Sequence, residues 1–123
     1  MGNKETYVGA DVSKDTLDIA AHPRQQAQNF RNNNTGINEA VTYLKILAPV
    51  LVVMEATGGL EMSLAAALGA VGIPVAVVNP RQVRDYAKSM GKLAKTDTID
   101  AQVMADFAAA VQPEPRPLSD GQT

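Results

Sequence analysis

The chain contains no cysteine. Disulfides, thiolate metal sites and cysteine nucleophiles are therefore excluded, and a reducing compartment fits. It has one histidine, His22, so its chemistry has to run without a cluster of imidazoles. No apolar run approaches the roughly 18 residues of a membrane span. Met1-Gly2-Asn3-Lys4-Glu5 lacks the apolar core of a signal peptide. These absences lead to the expectation of a cytoplasmic protein with no membrane partner. An excess of basic charge is missing too: 11 Lys and Arg against 13 Asp and Glu give a net charge of −2. The sum is not that of a generic nucleic-acid binder.

What is present is a normal globular balance, 46% hydrophobic and 20% charged over 123 residues. That is enough for one compact domain. Tyr7 to Val12 reads as a strand, and Thr16 to Ala21 as a second, with Leu17 and Ile19 alternating against Asp18. The short polar gap between them predicts an antiparallel hairpin. Ala27 to Arg31 is a candidate third strand. Asn32 to Gly36 is a turn with Thr35 as helix N-cap. Ile37, Val41, Leu44 and Leu47 then recur at helical spacing, until Pro49 stops the helix.

Val50 to Met54 is a continuous apolar run, as in a strand buried on both faces. It ends at Glu55. A helix is predicted from Leu60 to Val71, closed by Gly72, and another buried strand from Pro74 to Val78. Asn79-Pro80 starts a further helix. The last helix is predicted from Thr96 to Val111, with Ile99, Val103, Phe107 and Val111 as its apolar face. Met54, Met62, Met90 and Met104 are read as core fillers. The order β-β-(β)-α-β-α-β-α-α predicts an α/β fold: a mixed sheet, an antiparallel hairpin followed by parallel strands, with helices on both faces. Residues 1–112 form the domain. Residues 113–123, with Pro113, Pro115 and Pro117, read as a linker start or disordered tail.

Four carboxylates stand out. Asp11 ends the first strand and Glu55 ends the central one. In open α/β sheets, sites form outside strand ends where the topology changes direction. Asp97 and Asp100 lie three apart at the head of the last helix, which would put them on one face. Two like charges about 4 Å apart cost about 4 kcal/mol at an effective dielectric of about 20. Gathered acids therefore recruit cations or shift their pKa values. All-oxygen ligation suits Mg²⁺ or Mn²⁺, and such ions promote phosphoryl transfer without a nucleophilic side chain. Taken singly, each acid also has a plain structural reading, as turn former or helix-dipole partner.

Arg81, Arg84, Lys88, Lys92 and Lys95 are spaced three, four, four and three. On one continuous helix they share a face, either a phosphate-contacting stripe or an ordinary solvated surface. Gly91 is a candidate break before Lys92. Thr57-Gly58-Gly59 is a tight turn or a phosphate cradle at a helix N-terminus. There is no Walker A motif and no G-x-G-x-x-G after a strand. The Gly9-to-Thr16 segment resembles the first phosphate loop of actin-like sugar kinases but lacks the usual second glycine.

Four blocks carry a closer resemblance: Val8-Gly9-Ala10-Asp11-Val12-Ser13-Lys14, Met54-Glu55-Ala56-Thr57-Gly58-Gly59, Val78-Asn79-Pro80-Arg81-Gln82-Val83-Arg84, and Leu93-Ala94-Lys95-Thr96-Asp97-Thr98-Ile99-Asp100-Ala101. As a set they resemble the N-terminal domain of the DEDD transposases of the IS one-ten family, the group that includes the Piv-type DNA invertases. The resemblance implies a RuvC-like, RNase H-type fold. It implies Mg²⁺ (or Mn²⁺) held by Asp11, Glu55, Asp97 and Asp100, and DNA strand cleavage and transfer in recombination. The basic stripe would contact DNA or a structured guide, the bridge RNA. The full-length protein would be a homo-oligomer, and a C-terminal domain absent here would supply a serine nucleophile. Ser13 is no substitute; it reads as a turn hydroxyl. The alternative is an RNA- or DNA-binding and dimerisation module, inactive in isolation.

Overall fold

The structure is a computed structural model and describes residues 5–91 and 99–115. Five strands form one sheet in the order β3-β2-β1-β4-β5. They are β1 (Tyr7–Val12), β2 (Thr16–His22), β3 (Gln28–Arg31), β4 (Leu51–Glu55) and β5 (Val75–Val78). The β1–β2 and β2–β3 pairs are antiparallel, and the β1–β4 and β4–β5 pairs are parallel. The hairpin between β1 and β2 is closed by Ser13, whose amide donates to the Thr16 carbonyl at 2.9 Å and whose Oγ lies 2.8 Å from the Thr16 Oγ1. The reading of Ser13 as a turn hydroxyl holds.

The helices are α1 (Asn34–Leu47), α2 (Met62–Ala70), α3 (Pro80–Ser89) and α4 (Ala101–Val111). Successive strand side chains point to opposite faces, and two cores result. Val8, Ala10, Val12, Leu17, Ile19, Val52 and Met54 pack with Ile37 and Leu44 of α1 and with Leu64 and Leu68 of α2. On the other face Tyr7, Leu51, Val53, Ala76 and Val78 pack with Val83 of α3 and with Met104 and Phe107 of α4. Helices thus cover both faces, as the pattern predicts. Among the described residues no helix is long and apolar enough to cross a membrane.

Several sequence expectations are corrected. The N-cap of α1 is Asn33, not Thr35; its side chain accepts from the Gly36 amide at 2.8 Å. Three asparagines in a row offer equivalent caps, and the register of the helix decides between them. The cap of α1 at its other end is Ala48, which takes a left-handed conformation before Pro49. Helix α2 starts at Met62 rather than Leu60. Met54 and Met104 are buried, but Met62 and Met90 are 51% and 56% exposed and fill no gap.

The largest correction concerns α4. It begins at Ala101, with Asp100 as its N-cap in extended backbone, so Asp100 caps the helix rather than lying on one of its faces; Asp97, its expected partner on that face, lies outside the described residues. Its buried face consists of Ala101, Met104, Ala105, Phe107 and Ala108, whereas Val111 is 49% exposed. Small residues form this face because α4 lies directly on β1 at Gly9. A Cβ on Gly9 would stand 2.3 Å from the Ala101 carbonyl oxygen and 2.4 Å from the Ala105 amide nitrogen. Only glycine permits that approach.

Candidate metal and nucleic-acid site

Asp11 and Glu55 end neighbouring parallel strands. The β1–β4 register pairs Tyr7 with Leu51 and runs to Ala10 with Met54, and Asp11 and Glu55 are the next residues along. From here the chain turns one way into β2 and the other way towards β5, so the two acids stand at the switch point of the sheet. Adjacent strands are about 4.8 Å apart. By alternation both side chains belong to the α3/α4 face. That face is apolar along Tyr7, Leu51 and Val53 and becomes acidic at its end.

A further acid lies in the same row. Asp18 is directly opposite Asp11 in the β1–β2 register, and Asn29 is opposite Asp18 in the β2–β3 register. The Asn29 amide donates to the Asp18 carboxylate. Asn29, Asp18, Asp11 and Glu55 thus form one polar row across four strands. The sequence reading missed Asp18, taking it only as the polar member of an alternating strand; once the hairpin is in register, its position follows. Asp100 is near enough for its charge to act on Asp11. As the N-cap of α4 its Oδ1 accepts from the Val103 amide at 2.9 Å, and a carboxylate has further acceptor capacity.

The electrostatics link these groups. Burial, then the charges of Asp18 and Asp100, push the Asp11 carboxyl above its ordinary range. Burial and then the Asp11 charge push Glu55 up, partly offset by Arg84. The Oε2 of Glu55 is buried with no hydrogen-bond partner. A buried, unpartnered carboxylate oxygen beside a second carboxylate is costly, and a hard cation is the ligand that relieves it. The donor set is all oxygen and fits Mg²⁺ or Mn²⁺. Among the described residues, however, no three His, Asp or Glu side chains are already gathered at metal-ligating spacing. Asp97 lies outside the described residues.

Three of the five residues of the basic stripe are described. Arg81 and Lys88 are exposed on α3, and Arg84 is half-buried at the border of that helix's packed face, where its charge reaches Glu55. Helix α3 ends at Ser89, and Gly91 has a φ of 67°. The described members of the stripe, Arg81, Arg84 and Lys88, therefore lie on α3. Lys92 and Lys95 lie outside the described residues. His22, the lone histidine, is at the other end of the α4 face, where its Nδ1 lies 2.9 Å from Asp106 Oδ1.

Thr57-Gly58-Gly59 is a turn rather than a phosphate cradle. Gly58 and Gly59 have φ of 75° and 110°. The amides of Thr57 and Gly59 both donate to the Glu61 carboxylate, at 3.0 and 3.2 Å. Those donors are already engaged. A hollow of about 490 Å³ lies beside β5, lined by residues including Val78, Asn79, Gln82 and Glu114; Asp11, Asp18, Glu55 and Asp100 are not in its lining.

A mixed five-stranded sheet of this order, with helices on both faces and acids at its switch point, defines the class: an RNase H-like α/β domain of the RuvC type. Thermus thermophilus RuvC in complex with a Holliday junction substrate superposes with a TM-score of 0.58 at 18% identity, over 94% of this chain and 100% of that one. A second T. thermophilus RuvC structure gives 0.55 at 18%, over 90% and 99%. At that identity the likeness is one of fold. The chain belongs to the DEDD transposase family of the IS110 type, whose profile, described as Transposase, matches residues 8–123. The pilin gene-inverting protein of Moraxella bovis is 33% identical over 125 residues, and that of Moraxella lacunata is 32% identical. The chain spans 39% of the length of each of these relatives, while 96% of the chain is matched.

Proposed function

We propose that this chain is the acidic, metal-binding catalytic domain of a DNA transposase or recombinase, acting in Mg²⁺- or Mn²⁺-dependent strand cleavage and transfer. The observation that carries the reading is the orphaned Oε2 of Glu55, set beside Asp11 at the switch point and near the Asp100 cap. Asp11, Glu55 and Asp100 would hold the ion, with Asp97 completing the set. When bound, the metal activates a nucleophile and stabilises the leaving oxygen of a phosphodiester. The protein's own part is to hold Asp11 and Glu55 on rigid neighbouring strands and to keep water from the inner oxygen of Glu55. Arg84, at the border of the site, would orient a phosphate there. Arg81 and Lys88, with Lys92 and Lys95, would extend the contact along DNA or a structured guide RNA. Complete recombination would draw on a C-terminal serine domain and on a homo-oligomer.

Calorimetry tests the core of this. The wild-type domain should bind Mn²⁺, and Asp11→Ala and Glu55→Ala should abolish binding. Unchanged binding in either variant removes that residue from the ligand set. A second reading has its own support: no three described acids are yet at ligand spacing. On that reading the isolated domain binds nucleic acid and dimerises without cutting. Gel shifts with branched DNA and with structured RNA, with and without EDTA, separate the two. Metal-independent binding and no cleavage favour the second.

A further inference from the structure

Glu61 is charged and buried, only 7% exposed. Its Oε1 accepts three hydrogen bonds, from the Thr57 amide at 3.0 Å, the Thr57 hydroxyl at 2.9 Å and the Gly59 amide at 3.2 Å. Burial alone would push its carboxyl up; the hydrogen bonds from the Thr57 amide, its own amide, the Thr57 hydroxyl and the Gly59 amide outweigh that and hold it below its ordinary range. All these donors come from one short segment that begins two residues after Glu55. Within it Gly58 and Gly59 hold positive φ, a shape that a free segment would share with many others. On the strand side, the Ala56 amide donates to the Val78 carbonyl at 3.0 Å. The backbone leaving Glu55 is thus fixed by β5 first and by Glu61 immediately after. The Glu55 Oε2 itself has no hydrogen bond to fix it, so the course of that backbone helps to set its direction.

We propose that Glu61 is a positioning residue for Glu55: its ionised carboxylate clamps the turn after β4 and so sets the direction in which Glu55 presents its unpartnered oxygen towards Asp11. The inference rests on the metal-site reading of Glu55 and deepens it. Supporting side chains behind a ligand commonly change metal affinity about 10- to 100-fold when lost. A carboxylate clamp suits this position because it gathers three donors on one oxygen, which a neutral amide holds more weakly.

The test uses Glu61→Gln, which keeps an acceptor oxygen and the side-chain shape but removes the charge. Amide hydrogen exchange at Thr57 and Gly59 should accelerate, and Mn²⁺ affinity by calorimetry should fall about tenfold while the protein stays folded. Faster exchange with unchanged affinity would reduce Glu61 to a structural role, and unchanged exchange would remove the clamp; either overturns the proposal. Should Glu61→Gln fail to fold, Thr57→Val removes only the hydroxyl donor and should weaken Mn²⁺ about two- to tenfold; full affinity in that folded variant counts against the clamp. If the wild type binds no Mn²⁺, the metal-site reading fails on its own. Positioning is then read from the carboxyl ¹³C shift of Glu55 at neutral pH, which should move in Glu61→Gln. A static shift overturns it.

Discussion

Along β1, Val8, Ala10 and Val12 enter the core beneath α1 and α2, while Tyr7, Gly9 and Asp11 face α3 and α4. The same alternation runs along β4, where Val52 and Met54 go one way and Leu51, Val53 and Glu55 the other. One face is apolar to its end. Along β1 and β4 the other is apolar until its last row, where Asn29, Asp18, Asp11 and Glu55 lie side by side. The sheet thus divides its labour by parity. The α1/α2 face is given to the apolar core, and the α3/α4 face gives up apolar contact at one end to hold carboxylates whose burial and mutual repulsion push Asp11 and Glu55 above their ordinary range.

If this division holds, substitutions on the two faces should separate. The largest effect is expected from Leu44→Ala in α1, whose side chain is fully buried: about 2–5 kcal/mol of stability lost in urea unfolding, with the Mn²⁺ affinity of the folded protein unchanged. A parallel loss of affinity would show that the faces are coupled. Gly9→Ala should cost about 1–3 kcal/mol by overpacking and also weaken Mn²⁺ binding, because α4 and its cap must lift from β1. Unaltered calorimetric binding would mean that Asp100 contributes nothing from its position. Asp100→Ala should cost about 1 kcal/mol of stability as a lost N-cap, and Mn²⁺ affinity besides; the ratio of the two losses tells capping from ligation.

Asp11→Asn should act in the opposite sense, raising the Tm of the metal-free domain. The sign follows from the raised pKa of Asp11. A carboxyl whose folded pKa lies above its unfolded value destabilises the protein at neutral pH. The penalty shrinks as pH falls through the folded pKa and is gone below the unfolded one, near pH 3.9. The Tm advantage of Asp11→Asn should therefore be greatest at neutral pH, close on acidification, and be replaced by a deficit once Mn²⁺ stabilises only the wild type. Thermal scans across pH check it; an advantage independent of pH would point to packing instead. Asp18→Asn should give the smallest change of the same sign, since Asp18 is second to burial among the causes acting on Asp11.

Much of this division was legible before the structure. The unbroken run from Val50 to Met54 marks a strand buried on both faces, and β4 is that strand shifted by one residue, from Leu51 to Glu55, with Val50 left 40% exposed. Asn79-Pro80 marks the start of α3, where Asn79 accepts from the Arg81 amide at 2.8 Å. Asp11 and Glu55 were visible as acids after strands. What stayed hidden had particular causes. The buried face of α4 is made largely of alanines; a reading that follows bulky side chains finds Phe107, with Ile99 and Val103 at the cluster's edge, but passes over the alanines and adds the exposed Val111. Its true face is dictated by Gly9, far away in the chain. Asp18 becomes part of the polar row only through strand register. Glu61 gave a partial signal, a Thr followed at short range by a Glu near a helix start, but that its carboxylate turns back onto Thr57 and Gly59 is a three-dimensional fact.

The contact at Gly9 has a consequence for the order in which the domain forms. Strand β1 is at one end of the sequence and α4 near the other, and their backbones meet without a side chain between them. Such a contact closes a loop of most of the chain, and loops of that length close late and slowly. The hairpin and the α1/α2 core can assemble from nearer neighbours, but Asp100 reaches its place only when α4 docks. On that order the hairpin and the β1–β4 pair bring Asp11, Asp18 and Glu55 together first, and Asp100 adds its charge to theirs last.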